Sequence, residues 1–281
     1  MTAYDTISVS RDGPVGIVTL DRPERMNAWT WQMSVEMAHA YAAFDLDDDV
    51  RAIVVTGAGR AFCAGAALEP KGATFDGSSG GRDRWADRYP GPSSDAAHLA
   101  TPVIGAINGA AVGAGLTLAM PFDIRLVAEG AKLGFVFNRR GVMPDADLLW
   151  SLPRMIGYGR AMDLLLTGRI FTGREAFEIG LASRALPTED VLPAALELAH
   201  DLATNVAPVS AAITKQLGRQ FLDETDGRAA LARQRDLFAW TGRQPDAREG
   251  VEAFLEKRPP RWSLSKTGDL PDEVRPRHLQ H

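Results

Sequence analysis

Residues 102–129 read PVIGAINGAAVGAGLTLAMPFDIRLVAE. How this stretch is read decides whether the chain carries a membrane span or folds as packed strands and helices. Residues 103–120 are long, apolar and contain two overlapping GxxxG matches through Gly105, Gly109 and Gly113, a pattern that also occurs in membrane helix pairs. Asn108 and the repeated glycines interrupt the run, and Asp123 follows closely, which argues against a span. The better reading is a strand over 101–107, a glycine-rich turn, a short helix over 114–119 and another strand over 122–127.

Working outward, residues 7–10 and 15–20 read as strands of a hairpin around Asp12-Gly13. Met33, Met37, Ala40, Tyr41 and Phe44 share one helical face behind a candidate N-cap, Thr30. Residues 51–56, RAIVVT, read as a buried strand ended by Gly57 to Gly59. Residues 69–94 are rich in Gly, Ser, Pro and charge and read as a long surface loop. Helical signal begins at Asp145 and dominates 191–257, until Pro259-Pro260 stops it. The polar tail after Trp262 is expected to fray. The division predicted is a core over 1–200, a helical region over 201–262 and a tail over 263–281.

The 281 residues contain 45% hydrophobic and 24% charged side chains, ordinary for one or two globular domains. With 31 basic and 36 acidic residues the net charge is −5, so no basic excess offers itself to nucleic acid. A single cysteine, Cys63, excludes an internal disulfide framework and fits a reducing, cytoplasmic setting. The opening MTAYDTISVS lacks the cationic and apolar parts of a secretory signal.

Several motifs fail on context. Gly77, Ser79 and Gly81 match G-x-S-x-G without the strand and helix a nucleophile elbow needs. No glycine pair continues into a dinucleotide fingerprint, and there is no P-loop lysine. The histidines 39, 98, 200, 278 and 281 lack metal-ligand spacing, so no metal is expected. Cys63 lacks a histidine partner and reads as a small buried residue.

Two glycine-rich turns carry chemistry: RAFCAGAAL at 60–68 and NGAAVGAGLTL at 108–118. Small residues let a ligand approach the backbone. Free N–H groups there can hold developing negative charge, and two such turns together would make a two-donor oxyanion hole. The same glycines also suit tight strand–helix packing.

In order along the chain, LDRPERMNAW (20–29), RAIVVTGAGRAFCAGAAL (51–68), the 102–129 stretch, the run from Phe135 to Leu186 and DAREGVEAFLEKRPPRW (246–262) resemble the crotonase superfamily, the enoyl-CoA hydratase/isomerase family. The resemblance covers about residues 7–262. It implies an α/β fold, a crotonase-like spiral of ββα units with a C-terminal α-helical oligomerisation region. It also implies a homotrimer or dimer of trimers, and an acyl-CoA thioester substrate whose coenzyme A is the only cofactor-like group.

By motif position the resemblance makes Ala66 and Ala114 the oxyanion donors. The family's two hydratase glutamates fall on Thr117 and Phe137, neither a carboxylate. Asp145 matches a position where other branches carry a proton-moving or nucleophilic aspartate. It also suits the N-cap of a helix from Ala146, with Asp147 as first-turn charge. Phe137, Met143 and Trp150 are expected to line the acyl chamber, with Trp85 and Tyr89 closing over it. Arg25, Ala64, Phe254 and Lys257 match coenzyme A-binding positions, the last two often acting across a subunit boundary. The lost glutamates favour double-bond isomerisation through Asp145 over standard hydration. A non-catalytic acyl-CoA binder and a hydrolase or dehalogenase with Asp145 as nucleophile remain the alternatives.

Overall fold

The computed structural model describes residues 3–68, 95–144 and 147–280. Two sheets organise the chain. The larger has strand order β1(Ile7–Asp12), β2(Val15–Leu20), β3(Ala52–Gly57), β5(Val103–Ile107), β7(Ile124–Ala128), β10(Arg184–Leu186). The smaller runs β4(Ala61–Cys63), β6(Ala110–Val112), β8(Lys132–Gly134), β9(Phe171–Thr172). From β3 to β8 the chain places strands alternately in the two sheets, which is the spiral expected from sequence. β1 and β2 form the antiparallel hairpin around Asp12-Gly13, with Ile7 opposite Leu20. The pairs β2–β3, β3–β5 and β5–β7 are parallel.

Every residue of β3 and β5 is buried, because parallel central strands are covered on both faces; their sequences are correspondingly continuous apolar runs. Helix α1(Trp31–Asp45) packs on β1 and β2, and its N-cap Thr30 accepts from the Met33 amide. The apolar stretch 103–120 is split between β5, β6 and the six-residue helix α2(Ala114–Ala119). No described helix is long and apolar enough to cross a membrane.

The short helices α3(Leu148–Ile156), α4(Tyr158–Thr167) and α5(Gly173–Glu178) follow. Helix α6(Thr188–Asn205) then lies across β3, β5 and β7. Helices α7(Pro208–Gln220), α8(Gly227–Gly242) and α9(Pro245–Glu256) complete the C-terminal region.

The tail corrects the sequence expectation: it is packed, not frayed. Leu270, Val274 and Leu279 are buried in a second apolar cluster with Val209, Ala212 and Leu237. The Lys266 ammonium donates to the carbonyls of Phe44, Asp47 and Val50, capping the chain just beyond α1. His278 Nε2 lies 2.7 Å from the buried Asp45 carboxylate, which also accepts from the Ala100 and Thr101 amides. Polar composition hid these contacts, because each polar group finds a buried partner far away in the chain.

Candidate functional site

The two glycine-rich segments contain neighbouring parallel strands, with Cys63 of β4 opposite Ala111 of β6, and turn at the strands' C-terminal ends. They interlock through two glycines. A Cβ on Gly65, at φ +118, would lie 3.1 Å from the Val112 carbonyl oxygen. A Cβ on Gly115 would lie 1.9 Å from the Cys63 carbonyl oxygen. Only glycine permits this backbone approach.

A parallel bridge fixes the first turn. The Trp29 amide donates to the Gly65 carbonyl, and the Trp29 carbonyl accepts from the Ala67 amide, both at 2.8 Å. Trp29 thus engages the residues on either side of Ala66, and the Ala66 N–H points away from it. Among the described residues that N–H has no acceptor. Ala114 opens α2 behind Gly113, whose φ of 54° turns the chain and which offers no side-chain cap. A first-turn N–H has no intrahelical acceptor, and none of the described residues supplies one to Ala114. Both alanines are half-buried. Two amides without an acceptor among the described residues, on interlocked turns, are suited to an oxygen that gains negative charge.

The acid–base side is sparse. The Thr117 hydroxyl donates to the Gly113 carbonyl at 3.0 Å, and Phe137 is buried in the main core. Asp145, Trp85, Tyr89, the 77–81 motif and His281 lie outside the described residues. The capping expectation is corrected: α3 begins at Leu148, so its N-cap is Asp147, in the left-handed region at φ 51° and without a side-chain cap bond. Burial pushes the Cys63 thiol up to about 11, which suits a packed rather than a nucleophilic cysteine. Among the described residues no three His, Cys, Asp or Glu side chains are grouped to hold a metal ion.

Comparison with known proteins bears on this geometry. The model of the enoyl-CoA hydratase/isomerase family matches residues 10–265. The chain belongs to that family. It is 38% identical over 258 residues to enoyl-CoA hydratase ACTT3 of Alternaria alternata, covering 89% of this chain and 85% of the relative. It is 36% identical to the 1,2-epoxyphenylacetyl-CoA isomerase of Escherichia coli K12, covering 88% and 94%. A probable enoyl-CoA hydratase/isomerase from Mycobacterium abscessus superposes with a TM-score of 0.82 at 39% identity, over 92% of this chain and 98% of that one. The fold is that of the crotonase-type enoyl-CoA hydratases, and the family is one of enzymes acting on acyl-CoA.

The other residues expected from the enoyl-CoA hydratase/isomerase pattern fall in different settings. Met143 and Trp150 are exposed, unlike Phe137, and Arg154 stacks on the Trp150 ring. Arg25 is exposed beside the first turn, and the Ala64 amide donates to the Met26 carbonyl at 3.0 Å. Phe254 and Lys257 are exposed at the end of α9, which packs on α8. There Phe238, Val251, Phe254, Leu255 and Trp262 line an open apolar cleft of about 600 Å³.

Three supporting residues escaped the sequence reading. Asn27 is fully buried at φ 55°, donating to the carbonyls of Ala58 and Ala61 and accepting from the Arg22 amide. Asn108 donates to the carbonyls of Gly57 and Gly59 and accepts from the Gly57 amide. Together they hold the loop that feeds β4. Their one sequence signal is a lone amide side chain beside small or apolar neighbours. Arg125 is the third. It is buried, its guanidinium donates to backbone carbonyls, and burial lowers its pKa to about 10, so it stays cationic at neutral pH.

Proposed function

We propose that this family member binds an enoyl-CoA thioester with its carbonyl oxygen between the Ala66 and Ala114 amides, and moves the double bond by proton transfer through Asp145. The observation that carries the reading is the pair of half-buried amides on interlocked turns that have no acceptor among the described residues. Removing a proton next to a thioester builds an enolate oxygen, and each preorganised donor contributes on the order of 3 kcal/mol to its stabilisation. Coenzyme A enters as part of the substrate, with Arg25, Ala64, Phe254 and Lys257 as its contacts and Phe137, Met143 and Trp150 toward the acyl group.

Isomerisation is favoured because hydration through two glutamates, one activating water and one protonating carbon, has no carboxylate at Thr117 or Phe137. Asp145 takes its role from its motif position. The relative named 1,2-epoxyphenylacetyl-CoA isomerase supports isomerase chemistry, whereas ACTT3, named a hydratase, supports water addition as the second reading. The reading includes self-association as a homotrimer or dimer of trimers, supported by the exposed apolar residues of α8 and α9, and a cytoplasmic setting.

The deciding experiment incubates 2-enoyl- and 3-enoyl-CoA thioesters in heavy water with wild type and Asp145→Asn, read by mass spectrometry. Deuterium gain without water addition, lost in the variant, is expected. Water addition instead would establish hydration, and retention of a trapped ester on Asp145 would establish nucleophilic chemistry. Tight binding with no mass change would leave a non-catalytic binder.

A further inference from the structure

The segment that leaves α2 is held by a buried cation, Arg125, that no carboxylate among the described residues pairs with. The Arg125 guanidinium donates to the carbonyls of Ala119 at 3.5 Å, Met120 at 3.2 Å and Phe122 at 2.5 Å through one nitrogen. Its Nε donates to the Leu181 carbonyl at 2.9 Å. The Arg219 guanidinium reaches the remaining carbonyl of this run, Pro121, at 3.5 Å. The nearest acid, Asp123, is spent elsewhere: it accepts from the Val103 amide and pairs with Lys215, both at 2.7 Å. Among the described residues Arg125 therefore forms no ion pair, although it is only 8% exposed.

Burying a charge without an opposite charge is costly. Here the cost is offset by four carbonyl dipoles, with the nearby Asp123 charge adding to them, and two of the four, Ala119 and Met120, end one short helix. That helix has six residues, too few to be stable by itself. Its entry is fixed by the Gly113 amide on the Gly134 carbonyl at 2.7 Å and by the close fit of Gly115 on Cys63. Its exit is fixed by Arg125. A cation at a helix C-terminus complements the dipole, and a buried charge is screened far less than a surface one. At 1.5 Å per residue the N-terminal amides lie about 8 Å from the last turn.

We propose that Arg125 is a positioning residue for the reaction: by gripping the exit of α2 it sets the direction of the Ala114 N–H and adds a fixed positive charge behind it. This rests on the oxyanion reading above. Arg125 does not touch substrate in this scheme. It acts through the helix, and its effect falls on the charged enolate more than on the bound thioester, because only the enolate carries the negative charge.

The test compares wild type with Arg125→Gln and Arg125→Lys. Lys266→Met serves as the stability control, since it removes another buried cation that caps carbonyls away from α2. Turnover is measured at temperatures matched relative to each variant's Tm. A second readout is the absorption red shift of a chromophoric aryl-enoyl-CoA thioester, which reports polarisation of its carbonyl on binding. Arg125→Gln is expected to lose at least about tenfold in kcat with KM changed less than about twofold. The red shift is expected to shrink, and Arg125→Lys to recover part of both. Lys266→Met is expected to keep wild-type kcat and red shift. Equal kcat losses in Arg125→Gln and Lys266→Met would overturn the proposal. So would an unchanged red shift, or failure of both Arg125 variants to fold, which would assign the residue to the fold as a whole. A wild-type protein that binds the thioester without any red shift would overturn the oxyanion reading itself, and this proposal with it. A normal wild-type shift retained in Arg125→Gln would overturn the proposal alone.

Discussion

The α-carbon of Gly115 meets the carbonyl oxygen of Cys63 so closely that a Cβ would sit 1.9 Å from it. Two turns that are 52 positions apart (115 minus 63) are thereby locked into one structure. Gly115→Ala forces them apart. The expected cost is about 3 kcal/mol, as for overpacking a rigid backbone contact, with turnover falling at least about tenfold because both amides move. Urea denaturation beside steady-state kinetics checks it; a neutral substitution would mean that the turns yield freely.

Ala114→Pro removes one amide donor and little else, since proline is tolerated at the first position of a helix. Loss of kcat by about 100-fold or more is expected, the effect of deleting one oxyanion donor, with the fold retained by circular dichroism. A loss below about fivefold would remove Ala114 from the site.

Glutamate substitutions distinguish Thr117 from Phe137, the two positions where the sequence resemblance implies carboxylates. Phe137 is 7% exposed, so Phe137→Glu buries an unpaired carboxylate and is expected to destabilise by about 3 kcal/mol or more. Thr117 is only half-buried on the site's helix, so Thr117→Glu is expected to cost less than about 1 kcal/mol. Parallel thermal melts decide; equal costs would contradict the burial argument.

Asp45 sets an acid limit on stability. Burial alone would raise its carboxyl. The bonds from His278, Thr101 and Ala100, with the Lys266 charge, outweigh that and hold it below the ordinary value of 3.8. A carboxyl that is more acidic folded than unfolded contributes stability that is complete above the unfolded value and lost as pH falls through the folded one. Asp45→Asn is therefore expected to cost about 3 kcal/mol at pH 7 and to weaken the pH dependence of stability below 3.8. Urea denaturation across this range reads both effects, and an unchanged acid limb would refute the assignment.

The α8–α9 cleft exposes the aromatic residues Phe238 by 77% and Phe254 by 81% in the single chain, and clustered exposed aromatics mark a surface suited to a partner. The wild-type protein is expected to sediment as a trimer or hexamer, and Val251→Asp as a smaller species. A monomeric wild type would count against the oligomeric reading.

Much of the fold is written locally. The β1–β2 hairpin follows from Asp12-Gly13 between apolar runs, the start of α1 from Thr30, and α2 spans the 114–119 read from its glycine-punctuated turn. β3 and β5 announce themselves as unbroken apolar strands because both faces are covered. The two glycine-rich turns were legible as motifs for the same reason: small residues in sequence mean close backbone approach somewhere. What they approach was not legible. The direction of the Ala66 N–H depends on the Trp29 bridge, and the fit of Gly115 depends on Cys63.

The tail shows the limit most plainly. Its polar composition reads as solvated, yet His278 reaches Asp45 across 233 positions and Lys266 reaches Phe44 across 222. Arg125 likewise looks like one charge in a strand, until its guanidinium is found among the carbonyls that end α2. Composition, periodicity and turn chemistry act over a few residues, so the sequence alone determined the long strands of the larger sheet, α1, α2 and the family of turns. The two- and three-residue strands of the smaller sheet are too short to carry a pattern of their own. Partners for buried polar groups are chosen by whichever distant segments the packed sheets bring together, and that choice belongs to the tertiary structure.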